Sequence, residues 1–162
     1  LGRKNKLIQR KYKKNQGYEL LQGIGTVKGR LIGGCIEVFH MLQGTKIFPK
    51  LEDFEDSILF FETSEEKPPL WFIECALRNY GTTGILEKVN GIVWGKPQDE
   101  EYSHEYKDVI KKVMKEFGKE DLPILYNMNF GHTEPKICLP YGAVAEIDCD
   151  NVSFSILESA VL

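Results

Sequence analysis

An α/β domain is the fold class that this sequence of 162 residues predicts. Two segments carry most of the expectation. Ser57-Ile58-Leu59-Phe60-Phe61-Glu62 is a continuous apolar run ended by a carboxylate, the pattern of a strand buried on both faces. Downstream, Tyr102, Tyr106, Val109, Ile110, Val113, Met114 and Phe117 share one stripe at helical spacing, as an amphipathic helix requires. Glycines and prolines recur between short apolar runs throughout, so that strands and helices are separated by tight turns.

Taken in order, residues 18–22 and 26–32 read as strands, with Gly23, Gly25 and Gly29 at turns or bulges. Gly33-Gly34 then opens a short helix over 35–43, stopped by Gly44. After the 57–62 strand, Pro68-Pro69 starts a second helix. There Leu70, Ile73, Leu77 and Tyr80 recur at helical spacing, and Gly81 ends it. Residues 89–94 form the next strand. The helix over 102–117 places Asp108 three and four residues before Lys111 and Lys112, a supporting charge pattern. Residues 124–126 form a strand leading into the turn Asn129-Phe130-Gly131-His132-Thr133. Strands at 137–139, 143–147 and 154–157 close the domain, with Pro140-Tyr141-Gly142 and residues 148–151 as turns. About eight strands and three helices result.

The net charge of -3 hides an asymmetry: the first 30 residues carry nine Lys or Arg against the single Glu19. Residues 1–17 read as a basic linker or loop flank, and 18–162 as one domain. Arg10-Lys11-Tyr12-Lys13-Lys14 is basic enough for a nucleic-acid arm, but such an arm needs aromatic platforms on a folded face, and Tyr12 alone does not supply them. No nucleic-acid partner is expected. The chain opens on Leu1, with neither a signal peptide nor a run of about 18 apolar residues for a membrane span, so the reading is an excised piece of a soluble, cytoplasmic protein. Cys35, Cys75, Cys138 and Cys149 are spaced 40, 63 and 11 apart, which offers no Cys-x-x-Cys pair for zinc. Reduced thiols are the expectation, with a Cys138 to Cys149 pairing on neighbouring strands as the alternative.

Glu62 and His132 are the candidate chemical pair. A serine hydrolase needs a base for the hydroxyl proton and a carboxylate that holds this base in the correct tautomer. A strand-end acid and a histidine on a glycine turn can present both side chains to a cleft. On the residues alone, a solvated strand-end acid and an ordinary loop histidine are the commoner explanations. His40 reads as a partly buried structural histidine and His104 as part of a charged helix. With three histidines and no ligand spacing, no metal is expected. Gly33-Gly34 reads either as a tight turn or as a site where free backbone N–H groups meet a substrate anion. No P-loop or dinucleotide fingerprint accompanies it.

Set in order, Gly29-Arg30-Leu31-Ile32-Gly33-Gly34-Cys35-Ile36-Glu37, Gly44-Thr45, Ile58-Leu59-Phe60-Phe61-Glu62-Thr63-Ser64-Glu65-Glu66, Leu77-Arg78-Asn79-Tyr80, Gly91-Ile92-Val93-Trp94-Gly95, Phe130-Gly131-His132-Thr133 and Leu139-Pro140-Tyr141-Gly142 form a pattern. It resembles the C-terminal domain of the LD-carboxypeptidase family of serine peptidases, and within it the microcin C self-immunity branch. The resemblance implies a swivelling β/β/α-type domain with mixed β-sheet layers. It also implies an N-terminal nucleophile domain of the same polypeptide, supplying the serine and the oxyanion hole, and a homodimer in the full-length protein. By motif, Glu62 and His132 match the family's catalytic glutamate and histidine. Gly33, Gly34 and Cys35 stand where substrate would bind. Cys35 replaces the asparagine that tends to follow the paired glycines in classical members, which favours the immunity branch over cleavage of murein tetrapeptides. The implied substrate is a small peptide or an aminoacyl nucleotide, with no cofactor. A muramoyl tetrapeptide LD-carboxypeptidase and a non-catalytic ligand-binding module are the alternatives.

Overall fold

The computed structural model describes residues 16–159, in which the elements follow the order β1 (Glu19–Gln22), β2 (Thr26–Cys35), α1 (Ile36–Met41), β3 (Ser57–Glu62), α2 (Leu70–Thr82), α3 (Ile85–Lys88), β4 (Gly91–Gly95), α4 (Ser103–Glu116), β5 (Ile124–Met128), β6 (Val144–Asp148) and β7 (Ser153–Ile156). Short 3-10 turns cover Leu51–Phe54 and Gln98–Glu100. The α/β class holds. The arrangement differs from stacked sheet layers: all seven strands share one mixed sheet, in the order β1-β5-β4-β3-β2-β6-β7. Its centre is parallel across β2, β3, β4 and β5, and β1, β6 and β7 add on antiparallel.

Strand alternation sorts the side chains into two cores. From β3, Leu59 and Phe61 join Ile73, Leu77, Tyr80, Ile110 and Met114 from α2 and α4, while Ile58 turns to the other face with Leu31, Val93, Leu125 and Ile147. The stripe of α4 is core from Tyr106 to Met114, with Phe117 packed against it, whereas Tyr102 precedes the helix in a left-handed conformation and stays exposed. Phe61 stacks on Tyr80 at 5.3 Å and meets Trp94 edge-on at 5.7 Å, which ties β3 and β4 to α2.

Several sequence expectations change. Residues 137–139 are not a strand; Ile137 instead donates its N–H to the Asn129 carbonyl at 2.7 Å and so ties down the segment that follows His132. That leaves seven strands among the described residues. Helices number four among the described residues because the single turn α3, with Ile85 and Leu86 buried, is too short to show a period. Gly81 lies within α2 and does not end it. A Cβ there would sit 2.5 Å from the ring of Phe117, so the glycine admits α4. Gly33 and Gly34 are not a turn before a helix, since they continue β2 and pair with Phe60 and Phe61 of β3. The short α1 ends at Met41, ahead of Gly44. All four cysteines are free, so Cys138 and Cys149 are unpaired. The basic leader lies outside the described residues except for Gln16 and Gly17. No described helix is long and apolar enough to cross a membrane.

Candidate functional site

Parallel strands deliver their C-terminal ends to one edge of a sheet, where polar residues can surface beside each other. Here that edge collects Cys35 from β2, Glu62 from β3, Lys96 just past β4 and the Phe130 to Thr133 turn beyond β5. The register places Cys35 beside Glu62.

Glu62 is 8% exposed. A carboxylate so enclosed is costly unless hydrogen-bonded, and His132 satisfies it twice. The backbone N–H of His132 donates to Glu62 Oε2 at 3.2 Å, and its Nδ1 lies 2.7 Å from the same oxygen. Because an ionised carboxylate only accepts, Nδ1 carries a proton and donates it to Glu62, and Nε2 lies on the far side of the ring. Gly131 makes the approach possible. It has φ +87°, and a Cβ there would stand 2.5 Å from the Glu62 Cβ and 2.6 Å from its Oε2. Gly95 serves similarly, since a Cβ at that position would lie 2.7 Å from the Phe130 carbonyl and 3.0 Å from the Glu62 Cβ.

Sequence reasoning missed a second acid. Glu65 Oε2 lies 3.0 Å from His132 Nε2, so the imidazole stands between two carboxylates. The loop carrying Glu65 is anchored to α1, where Glu37 Oε1 accepts from the Ser64 hydroxyl at 2.5 Å and from its N–H at 3.1 Å. Glu65 belongs to the acidic run after β3, which reads in sequence as a solvated strand exit; only its nearness to Glu62 signals a role.

The hydrogen bond to Glu62, reinforced by the charges of Glu62 and Glu65, raises the His132 pKa above the ordinary histidine value. Its contribution to stability is therefore complete below about pH 6.5 and is lost as pH rises through the higher native value. By NMR titration His132 should show a midpoint above the ordinary value, and Glu62→Gln should lower it more than Glu65→Gln. A wild-type midpoint at or below the ordinary value would contradict the geometry.

Cys35 carries no such activation. Burial pushes its thiol up to about 12, and its Sγ lies 3.4 Å from Glu37 Oε2. A protonated thiol is a poor nucleophile. Among the described residues no serine or cysteine hydrogen-bonds the ring of His132, and no group of His, Cys, Asp and Glu is suited to hold a metal. Of the paired glycines, Gly33 packs backbone against backbone, since a Cβ there would collide with the Phe60 carbonyl, whereas nothing lies within 4 Å of one at Gly34. Beside His132 an open groove of about 400 Å³ is lined by Lys96, Pro97, Glu100, Thr133 and Lys136, among others.

The model of the LD-carboxypeptidase C-terminal domain family matches residues 28–147. The microcin C7 self-immunity protein MccF of Escherichia coli is 28% identical over 95% of this chain and 43% of its own length. A putative carboxypeptidase of Treponema pallidum is 29% identical over 94% and 44%. Among solved structures, an MccF-like protein from Streptococcus pneumoniae in complex with AMP is 32% identical, with a TM-score of 0.75 over 89% of this chain and 45% of that one. MccF in complex with glutamyl sulfamoyl guanosine is 26% identical, with a TM-score of 0.79 over 96% and 45%. The chain spans less than half the length of these relatives.

Proposed function

The chain belongs to the LD-carboxypeptidase C-terminal domain family, and from that premise we propose that it supplies the base and the orienting carboxylate of a serine hydrolase whose nucleophile lies outside these residues. One observation carries the reading: His132 Nδ1 is held by the enclosed Glu62 at 2.7 Å, while Nε2 looks outward with only the exposed Glu65 upon it. A serine hydroxyl replacing Glu65 at Nε2 would complete a triad. The serine attacks an acyl carbon, His132 Nε2 takes its proton, Glu62 stabilises the imidazolium, and the same proton then passes to the leaving nitrogen. Gly33, Gly34 and Cys35, at the neighbouring end of β2, would flank the acyl group.

In the full-length protein this domain would swivel against an N-terminal nucleophile domain, in a homodimer. The substrate we assign is an aminoacyl or peptidyl nucleotide. Support comes from MccF structures holding aspartyl sulfamoyl adenosine and glutamyl sulfamoyl guanosine. A tetrapeptide substrate uses the same dyad, and the relatives named putative carboxypeptidases favour it. A purely ligand-binding module gives the 2.7 Å pair no task.

Alone, the chain should hydrolyse neither substrate, because a base without its nucleophile retains little of the machinery. Joined to the nucleophile domain, it should prefer aspartyl sulfamoyl adenosine over an LD-linked tetrapeptide by about tenfold or more in kcat/KM. Inhibitor-sensitive hydrolysis by the pure chain would overturn the absent nucleophile. A tenfold preference for the tetrapeptide would move the substrate to murein and leave the dyad standing.

A further inference from the structure

Lys96 follows β4 directly, and its side chain is only 7% exposed. Its backbone N–H is spent on the Met128 carbonyl at 2.7 Å, which fixes the residue at the sheet edge. Its ammonium makes no hydrogen bond among the described residues, and the nearest carboxylate, Glu100, stands 3.9 Å away. An ammonium offers three donors and is costly to enclose without acceptors. This one lines the groove that His132 also lines.

The other acids of the groove, Asp99 and Glu134, each stand beside another lysine. Lys67 lies 3.3 Å from Asp99 and 2.7 Å from Glu101, and Lys136 lies 3.8 Å from Glu134. Lys96 therefore keeps hydrogen-bonding capacity that the domain does not use. The geometry points to Lys96 as the site for an anionic oxygen on the leaving-group half of the substrate. This rests on the hydrolase reading, because His132 must hand a proton to the leaving nitrogen and so puts the leaving group in its own groove. In both substrate classes an oxyacid lies next to that nitrogen. It is the phosphoryl group of an aminoacyl nucleotide joined through a phosphoramidate nitrogen, and the terminal carboxylate in a peptide. Glu100 is the resident counter-ion that the ligand displaces.

Binding to the chain itself tests the assignment without turnover, so its outcome is separate from the fate of the Glu62 and His132 reading. The 15N-labelled chain is titrated with AMP against adenosine, and with D-alanine against D-alaninamide, following the amides of Lys96, Thr133 and Lys136. In at least one pair the anionic member should bind about tenfold tighter, the worth of one charge-assisted hydrogen bond. A gap in the first pair names a phosphoryl source, and a gap in the second a carboxylate. Lys96→Met should erase the gap with the remaining amide spectrum unchanged. Glu100→Gln should widen it severalfold, which a merely structural lysine would not do, and it decides alone if Lys96→Met does not fold. No gap in either pair, a gap that survives Lys96→Met, or a gap unmoved by Glu100→Gln overturns the proposal.

Discussion

On the hydrolase reading, replacing His132 by alanine in the protein that joins this chain to its nucleophile should lower kcat by about 10³-fold or more, and Glu62→Gln should lower it by a similar or smaller factor. The expectation follows from the geometry. Glu62 would reach the nucleophile only through the ring of His132, by the 2.7 Å contact at Nδ1, so its loss would cost the tautomer and the stabilised imidazolium but not the base itself. Without His132, Glu62 has nothing to orient. The double variant should then be scarcely slower than the worse single one. Pre-steady-state acylation rates for the four proteins measure this directly, and losses that multiply would mean that the two residues act in separate proton transfers.

Much of the site was legible because its residues interrupt apolar strands. Glu62 ends a buried run, and His132 follows a glycine after the last parallel strand. A charged group at such a place must surface at the sheet edge. Lys96 obeys the same rule one residue past β4, but the apolar pattern of Gly91 to Gly95 stops short of it. Glu65 is illegible for a different reason: its place beside His132 depends on how Ser64 and Glu37 fasten the loop after β3, and that contact joins residues 27 positions apart. No local pattern encodes it. The paired glycines were misplaced because Gly-Gly usually marks a turn. Here the demand is for close approach to the Phe60 backbone of a parallel neighbour, which a strand meets as readily as a turn. Counting strands failed at 137–139, where an apolar triplet is held by one N–H to Asn129 and joins no ladder.

Gly131→Ala should cost about 10²-fold in kcat, although it removes no functional group. The added methyl would lie 2.5 Å from the Cβ and 2.7 Å from the Cγ of Glu62. Those atoms sit close to the backbone of β3, which is clamped between β2 and β4. The strand cannot retreat, so the turn must. It takes His132 with it and lengthens the Nδ1 to Oε2 hydrogen bond that raises the ring's pKa. The His132 midpoint should fall back toward the ordinary value in the same variant. Alanine at φ +87° is also strained by about 1 kcal/mol, which alone could lower activity by loosening the turn. Gly142→Ala separates the two causes, because Gly142 has φ +80° with nothing within 4 Å of a Cβ. It should share the loss of stability and leave kcat and the His132 midpoint within about twofold and a few tenths of a unit of wild type. Equal loss of activity in the two variants would show that backbone strain in these turns governs activity, and that the close packing of Gly131 on Glu62 is not what positions the histidine.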